Sequence, residues 1–165
     1  MAINLGGVAL GVGIDLLFLM RWWMKEKRRW GAIVPYVLAK LYGMLAALAA
    51  LGAFSLLGGV TWLALWAGNV IGYGALVYGI GGNAPDVTRA HQLVLTDGGY
   101  VIVFLLTVVL IALLKWGPQQ SKSKILLGAL AGILVALSGN VAGVAAIPLG
   151  SGVNLAGTGF TGVFG

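Results

Sequence analysis

Long apolar runs alternate with short polar intervals along the chain. The apolar runs are Ala2 to Met20, Ala32 to Ile80, Tyr100 to Lys115 and Ile125 to Ile147. The polar intervals are "RWWMKEKRRW", "GGNAPDVTRAHQLVLTDGG" and "KWGPQQSKSK". A helix that crosses a bilayer needs about 20 mostly apolar residues. The run from Ala32 to Ile80 is 49 residues long, which suits two crossings with a break near Gly58-Gly59. In Ala2 to Met20 the charges follow the apolar run, and no small-residue cleavage site precedes the basic stretch. This run therefore reads as a retained span rather than a secretory signal.

The pattern predicts an all-α fold, a polytopic transmembrane helical bundle of about five spans. The spans cover about 2–20, 32–57, 60–80, 100–115 and 125–147, or four spans if the first lies in the interface. Residues 1–147 would form one transmembrane domain. Residues 148–165 would form a glycine-rich extended C-terminal arm.

Composition supports the membrane reading. Hydrophobic residues make up 60% of the 165 and charged residues 8%, against about 25% charged in a soluble domain. Cysteine is absent, which excludes disulfides, thiolate metal sites and cysteine nucleophiles. The single histidine, His91, excludes a bis-histidine haem or a multi-histidine metal site within one chain. No cofactor, metal site or catalytic residue is predicted. Glycine is abundant, at 28 residues without a collagen period, and lies largely inside the apolar runs. That distribution points to close helix packing in lipid.

Charge sets an expected orientation. Arg21, Lys25, Lys27, Arg28 and Arg29 follow the first span with only Glu26 opposing them. The positive-inside rule makes this segment cytoplasmic. Strict alternation over five spans then places the N-terminus outside and the C-terminus inside, in what is expected to be a bacterial cytoplasmic membrane. It also puts Lys115, Lys122 and Lys124 outside, against the rule. The basic, tryptophan-rich segment reads as an anchor for anionic lipid headgroups. Its mixture of cations and indoles also suits nucleic acid, a partner given less weight.

Two near-copies of one motif occur in the spans. "AGNVIG" holds Gly68, Asn69 and Gly72, and "SGNVAG" holds Gly139, Asn140 and Gly143. Glycines four apart share a helix face and let another backbone approach closely, and the asparagine beside them can hydrogen-bond across the contact. The amides would either lock helix packing or line a polar path. "LLG" precedes each motif, a hint of parallel duplication. Gly7 with Gly11 and Gly128 with Gly132 repeat the four-residue spacing.

Two charges fall inside predicted spans. Asp15 lies about 7.5 Å from the end of the first span and Lys40 about 12 Å into the second, at 1.5 Å per residue. They are predicted to form an intramembrane ion pair, with a proton or cation site at Asp15 as the functional alternative. Asn83-Ala84-Pro85 predicts the start of a short interfacial helix carrying His91, a candidate for gating. Gly157, Gly159 and Gly162 spell a dinucleotide-like G-x-G-x-x-G, but no strand precedes it. The apolar residues of this tail predict an arm docking on a neighbouring subunit.

In size and composition the whole chain is similar to phage holins and to small membrane proteins of conjugative transfer systems. That resemblance implies a non-enzymatic integral membrane protein that forms a homo-oligomer or joins a membrane complex, as a pore-forming or scaffold subunit. The alternatives are a small ion or solute transporter with a polar midplane path, and an accessory subunit of a respiratory or secretion complex.

Overall fold

The computed structural model describes residues 3–50, 55–87, 95–136, 138, 145 and 147–164. Six helices lie among them: α1 (Leu5–Lys25), α2 (Trp30–Ala49), α3 (Leu56–Tyr73), α4 (Asp97–Trp116), α5 (Gln119–Ala136) and α6 (Ile147–Phe164). A π-helical turn, Gly74–Gly79, continues α3. Two short strands, β1 (Ile3–Asn4) and β2 (Asp86–Val87), pair antiparallel with Ile3 opposite Val87. The all-α class predicted from the pattern is present, and four helices are long and apolar enough to cross a membrane: α1, α2, α3 with its π turn, and α4.

The helix starts follow local chemistry. Asn4 caps α1 by accepting from the Gly7 amide at 2.8 Å. Ser55 caps α3, accepting from the Gly58 amide at 3.0 Å, and Thr96 caps α4 through the Gly99 amide at 3.2 Å. The cap at Ser55 starts α3 at Leu56, ahead of the predicted break at Gly58-Gly59. Those glycines sit in the first turn of α3, where the serine cap satisfies a backbone donor that would otherwise be orphaned.

The centre of the fold is the α2–α5 seam. The two helices run parallel, with Gly128 facing the Tyr36 carbonyl and Gly132 facing the Lys40 carbonyl and Gly43. Gly43 in turn faces the Ala129 backbone. No side chain larger than hydrogen fits at these three positions. The approach buries Ala131 and Ile133 to Ala136 on α5, and Tyr42 to Ala49 on α2. Apolar residues on all sides of the buried part of α5 give it little amphipathic character, as suits a helix enclosed by others.

α5 covers the first half of the predicted fifth span, 125–147, and most of the second half lies outside the described residues. α5 begins at Gln119 with the polar stretch "QQSKSK". The described apolar part, Ile125 to Ala136, covers about 18 Å at 1.5 Å per residue. A bilayer core needs about 30 Å. α5 is accordingly not among the four candidate spans found in the described residues, while α1 is.

The C-terminal segment is also corrected. Residues predicted as an extended arm form α6, packed on α4 of the same chain. Gly157 lies against Gly98, and Asn154 Oδ1 accepts from the Thr96 amide at 2.9 Å. Glycine weakens a helix by about 1 kcal/mol per residue, but here it also permits the close contact with α4. Thr158 and Thr161 return their hydroxyls to the carbonyls of Asn154 and Gly157, at 2.9 and 3.1 Å. Pro148, predicted to close a span, lies in the first turn of α6, where a missing amide costs nothing.

The predicted interfacial helix does not begin at Asn83-Ala84-Pro85. Asp86 and Val87 are strand, and the Pro85 carbonyl accepts from the Leu5 amide at 2.8 Å. His91 lies outside the described residues.

The seam is testable. Gly132→Ala should lower stability by about 1–3 kcal/mol through overpacking. Gly59→Ala, where an added methyl meets open space, should be neutral or slightly stabilising. Thermal midpoints of the two variants in one detergent check this, and equal midpoints would reject the close contact.

Candidate functional site

The most concentrated polar chemistry among the described residues lies between α1 and α2. Lys40 Nζ is 2.5 Å from Asp15 Oδ2, and the Tyr36 hydroxyl donates to Asp15 Oδ1 at 2.6 Å. Tyr36 and Lys40 are four apart on α2, so one helix face aims both at the same carboxylate. The Tyr36 ring stacks on Phe18 with centroids 3.8 Å apart and planes 4° from parallel. Phe18, Tyr36 and Ala131 form a buried cluster with Ile14, Trp22 and Ile33 around it. The lock therefore sits where α1 meets the α2–α5 seam.

The structure brings Asp15 and Lys40 together, and deeper than their positions in the predicted spans implied. α1 runs on to Lys25, which leaves Asp15 as residue 11 of 21, and Lys40 is residue 11 of 20 in α2. Both are mid-helix, so Lys40 finds its counter-charge at its own level rather than by reaching for headgroups. Their side chains are 17% and 25% exposed. A charge at this depth is costly unless paired.

The first Gly–Asn motif also finds partners inside the chain. Asn69 is buried, and its Oδ1 accepts from the Asn4 amide at 3.3 Å. The Asn4 side-chain amide donates to the Asn69 carbonyl, also at 3.3 Å. Gly72 lies against Gly6, Gly68 against Leu134, and Gly7 beneath the Asn69 side chain. Gly11 packs on Leu134 and Val135. The second motif, Gly139, Asn140 and Gly143, lies outside the described residues, so its pairing with the first is not described.

The two polar clusters lie apart along α1. Asn4 and Asp15 are 11 residues apart on one element, about 16 Å at 1.5 Å per residue. Gly6 and Gly7 face Gly72 and the Asn69 side chain, and Gly11 faces Leu134 and Val135. A third polar contact links Tyr42 to Thr107, hydroxyl to hydroxyl at 2.8 Å, between α2 and α4. Thr61 is buried in α3, with a hydroxyl that lacks a hydrogen-bond partner among the described residues. The sequence reading missed both of these, since a lone threonine or tyrosine in an apolar run carries no spacing signal.

The basic segment is a tight turn. Arg21 and Lys25 are helical, and only Glu26 to Arg29 lie between α1 and α2. Lys27 and Arg28 adopt left-handed backbone, with φ of 47° and 58°. Trp22 holds the turn by donating its indole N–H to the Arg29 carbonyl at 2.9 Å, and the Arg28 guanidinium lies 3.3 Å above the Trp23 ring. Trp22 and Trp23 are thus engaged within the chain.

Lys124 Nζ lies 2.8 Å from Glu26 and donates to the Ala32 carbonyl at 3.0 Å. This overturns the predicted alternation, which put Lys124 across the membrane from Glu26. The contact of β1 with β2 overturns it again, because the N-terminal segment and 85–87 share an end. Both corrections have one cause. Leu57 at the start of α3 packs with Ala49, Leu95, Tyr100 and Val103, and Gly72 near its end lies on Gly6. α3 thus begins and ends away from the basic turn. Eight of the ten lysines and arginines (all but Lys40 and Arg89) belong to the segments that form the basic end.

Among the described residues no three of His, Asp and Glu converge as metal ligands would. The chain matches no protein-family model, no curated protein and no solved structure.

The pair can be tested by comparing a single and a double variant with the parent. Asp15→Leu alone strands Lys40 and should cost about 3 kcal/mol, whereas Asp15→Leu with Lys40→Met should recover most of that loss. Thermal midpoints of the three forms decide. A double variant as unstable as the single would show that the charges do not act as a pair.

Proposed function

We propose that the chain is a non-enzymatic integral membrane subunit that works by assembly, either with copies of itself or within a larger membrane complex, as a scaffold or pore-forming component. One observation carries this reading. The intramembrane Asp15, Lys40 and Asn69 are satisfied within the chain, while the outward surface is large and apolar. Leu16, Leu17, Trp62, Trp66, Phe104 and Ile111 are all exposed. Such a surface suits lipid and other helices. A carrier needs a polar path, and the separation of the Asp15 and Asn69 clusters argues against one inside a single copy.

Among the described residues, the spaced glycines Gly7, Gly11, Gly68, Gly72, Gly128 and Gly132 face contacts within the chain. Association would therefore use the outer faces of α1, α3 and α4. The transporter reading keeps one favourable observation, a carboxylate at mid-helix depth. The accessory-subunit reading differs from the scaffold only in its partner.

Sidedness follows from the basic end. The positive-inside rule assigns the turn at Glu26 to Arg29, with Lys115, Lys122 and Lys124, to the cytoplasm. Asn4, Asp97 and α6 then belong to the opposite side. The chain has no native cysteine, so Lys27→Cys and Lys122→Cys should react with an impermeant maleimide from the same side, the cytoplasmic one. Labelling from opposite sides would reject this topology.

For assembly, mass spectrometry of the protein ejected from native membranes should show more than one copy or a co-assembled partner. The Asp15→Leu, Lys40→Met double variant should assemble equally well, and any ion leak it shows in liposomes should match that of the parent. Intact assembly with lost cation flux would favour the transporter. A single copy alone would reject the proposal.

A further inference from the structure

The turn between α1 and α2 carries the densest charge on the surface of the described residues. Arg21, Lys25, Lys27, Arg28 and Arg29 are all exposed. The acid among them, Glu26, is already taken. Lys124 Nζ lies 2.8 Å from one of its carboxylate oxygens and 2.9 Å from the other. Among the described residues, none of the five exposed cations is paired with a carboxylate.

The backbone of the turn points the same way. α1 ends at Lys25 with Glu26 as its cap, so Lys27 holds the position after the cap and Arg28 the next. Both are left-handed, with φ of 47° and 58°. That conformation strains a residue with a side chain, and a helix end that uses it is most often given glycine. The chain has 28 glycines among 165 residues, yet two cations stand here. The Trp22 carbonyl holds the turn, accepting from the Glu26 and Arg28 amides at 3.2 and 3.5 Å. Exposed indoles set its depth. Trp23, under the Arg28 guanidinium, is 56% exposed and Trp30 is 75% exposed. α1 and α2 are long and apolar enough to cross a membrane, and tryptophans at the ends of such helices lie at headgroup level. The anion at that level is a lipid phosphate, which favours lipid over an acidic protein.

We propose that Lys27 and Arg28, at the strained tip of the α1–α2 turn, form a binding site for the headgroup of an anionic phospholipid. A diffuse basic anchor responds to the number of charges at this end, whereas this site responds to which two are kept. The strain at the tip is retained because it places both cations there. The site does not depend on the assembly reading, since it can be scored on whichever oligomer is found.

The test uses full-length protein equilibrated with equal amounts of phosphatidylglycerol and phosphatidylcholine of matched chains, followed by native mass spectrometry of retained lipid. Phosphatidylglycerol should be kept in preference. Lys27→Gln with Arg28→Gln should lower that preference about fivefold or more. Lys115→Gln with Lys122→Gln, which removes as much charge from the same end, should change it less than about twofold on the same scale. Lys27→Gly with Arg28→Gly should lose the preference as the first glutamine pair does, yet melt at a higher temperature than that pair, because glycine relieves the strain. Equal loss in the two glutamine pairs would reduce the effect to total charge and overturn the site. A parent that retains both lipids alike would overturn it in favour of an acidic protein partner. A glycine pair that melts no higher than Lys27→Gln with Arg28→Gln would show that no strain is held for the cations, and would overturn the proposal as well.

Discussion

Everything in this structure leans on the contact of two parallel backbones, α2 and α5, brought together where Gly43, Gly128 and Gly132 leave no side chain between them. In lipid there is little hydrophobic force to drive helices together, and association rests on van der Waals contact and hydrogen bonds. Glycine is what permits that contact at backbone range. Because α5 is enclosed, it need not be long or apolar throughout, and its polar first turns can stay at the bundle end. α2 is held on one side by α5 and can offer its other side, at Tyr36 and Lys40, to α1.

The Asp15–Lys40–Tyr36 lock follows from that arrangement. The Lys40 carbonyl lies against Gly132 while its side chain reaches α1. One residue thus joins the close-packed seam to the ion pair. Breaking a buried pair by removing one partner costs far more than replacing both with apolar groups. The pair therefore specifies how α1 is set against α2 more than it adds to stability. Asn69 and Asn4 play the same part between α3 and the start of α1, with neutral groups and a smaller penalty.

The sequence made legible what depends on local pattern and left obscure what depends on the third dimension. Apolar runs located α1, α2, α3 and α4 to within a few residues at most ends, because lipid tolerates little else. The depths of Asp15 and Lys40 pointed toward their meeting, since an unpaired charge there is costly. The glycine spacing announced close packing but could not say against what, and Gly68 and Gly72 proved to face α5 and α1 of their own chain. The C-terminal helix was illegible because its many glycines lower helix propensity, while the contact they permit, Gly157 against Gly98, belongs to the packing. For α5 the pattern marked where its apolar part begins, at Ile125, but not that Ala131 to Ala136 are buried against other helices.

The two failures of alternation carry one lesson about charge. Counting spans and flipping sides assumes that each long apolar helix carries the chain from one face to the other. α3 is long and apolar, yet its first turn packs beside Ala49 and its last beside Gly6, both remote from the basic turn. Once it is not counted as a crossing between the ends, the lysines at 115, 122 and 124 join the arginines and lysines at 21 to 29. The apparent exception to the positive-inside rule then disappears. The charge distribution and the path of α3 therefore support one another, although they are read from independent features of the chain.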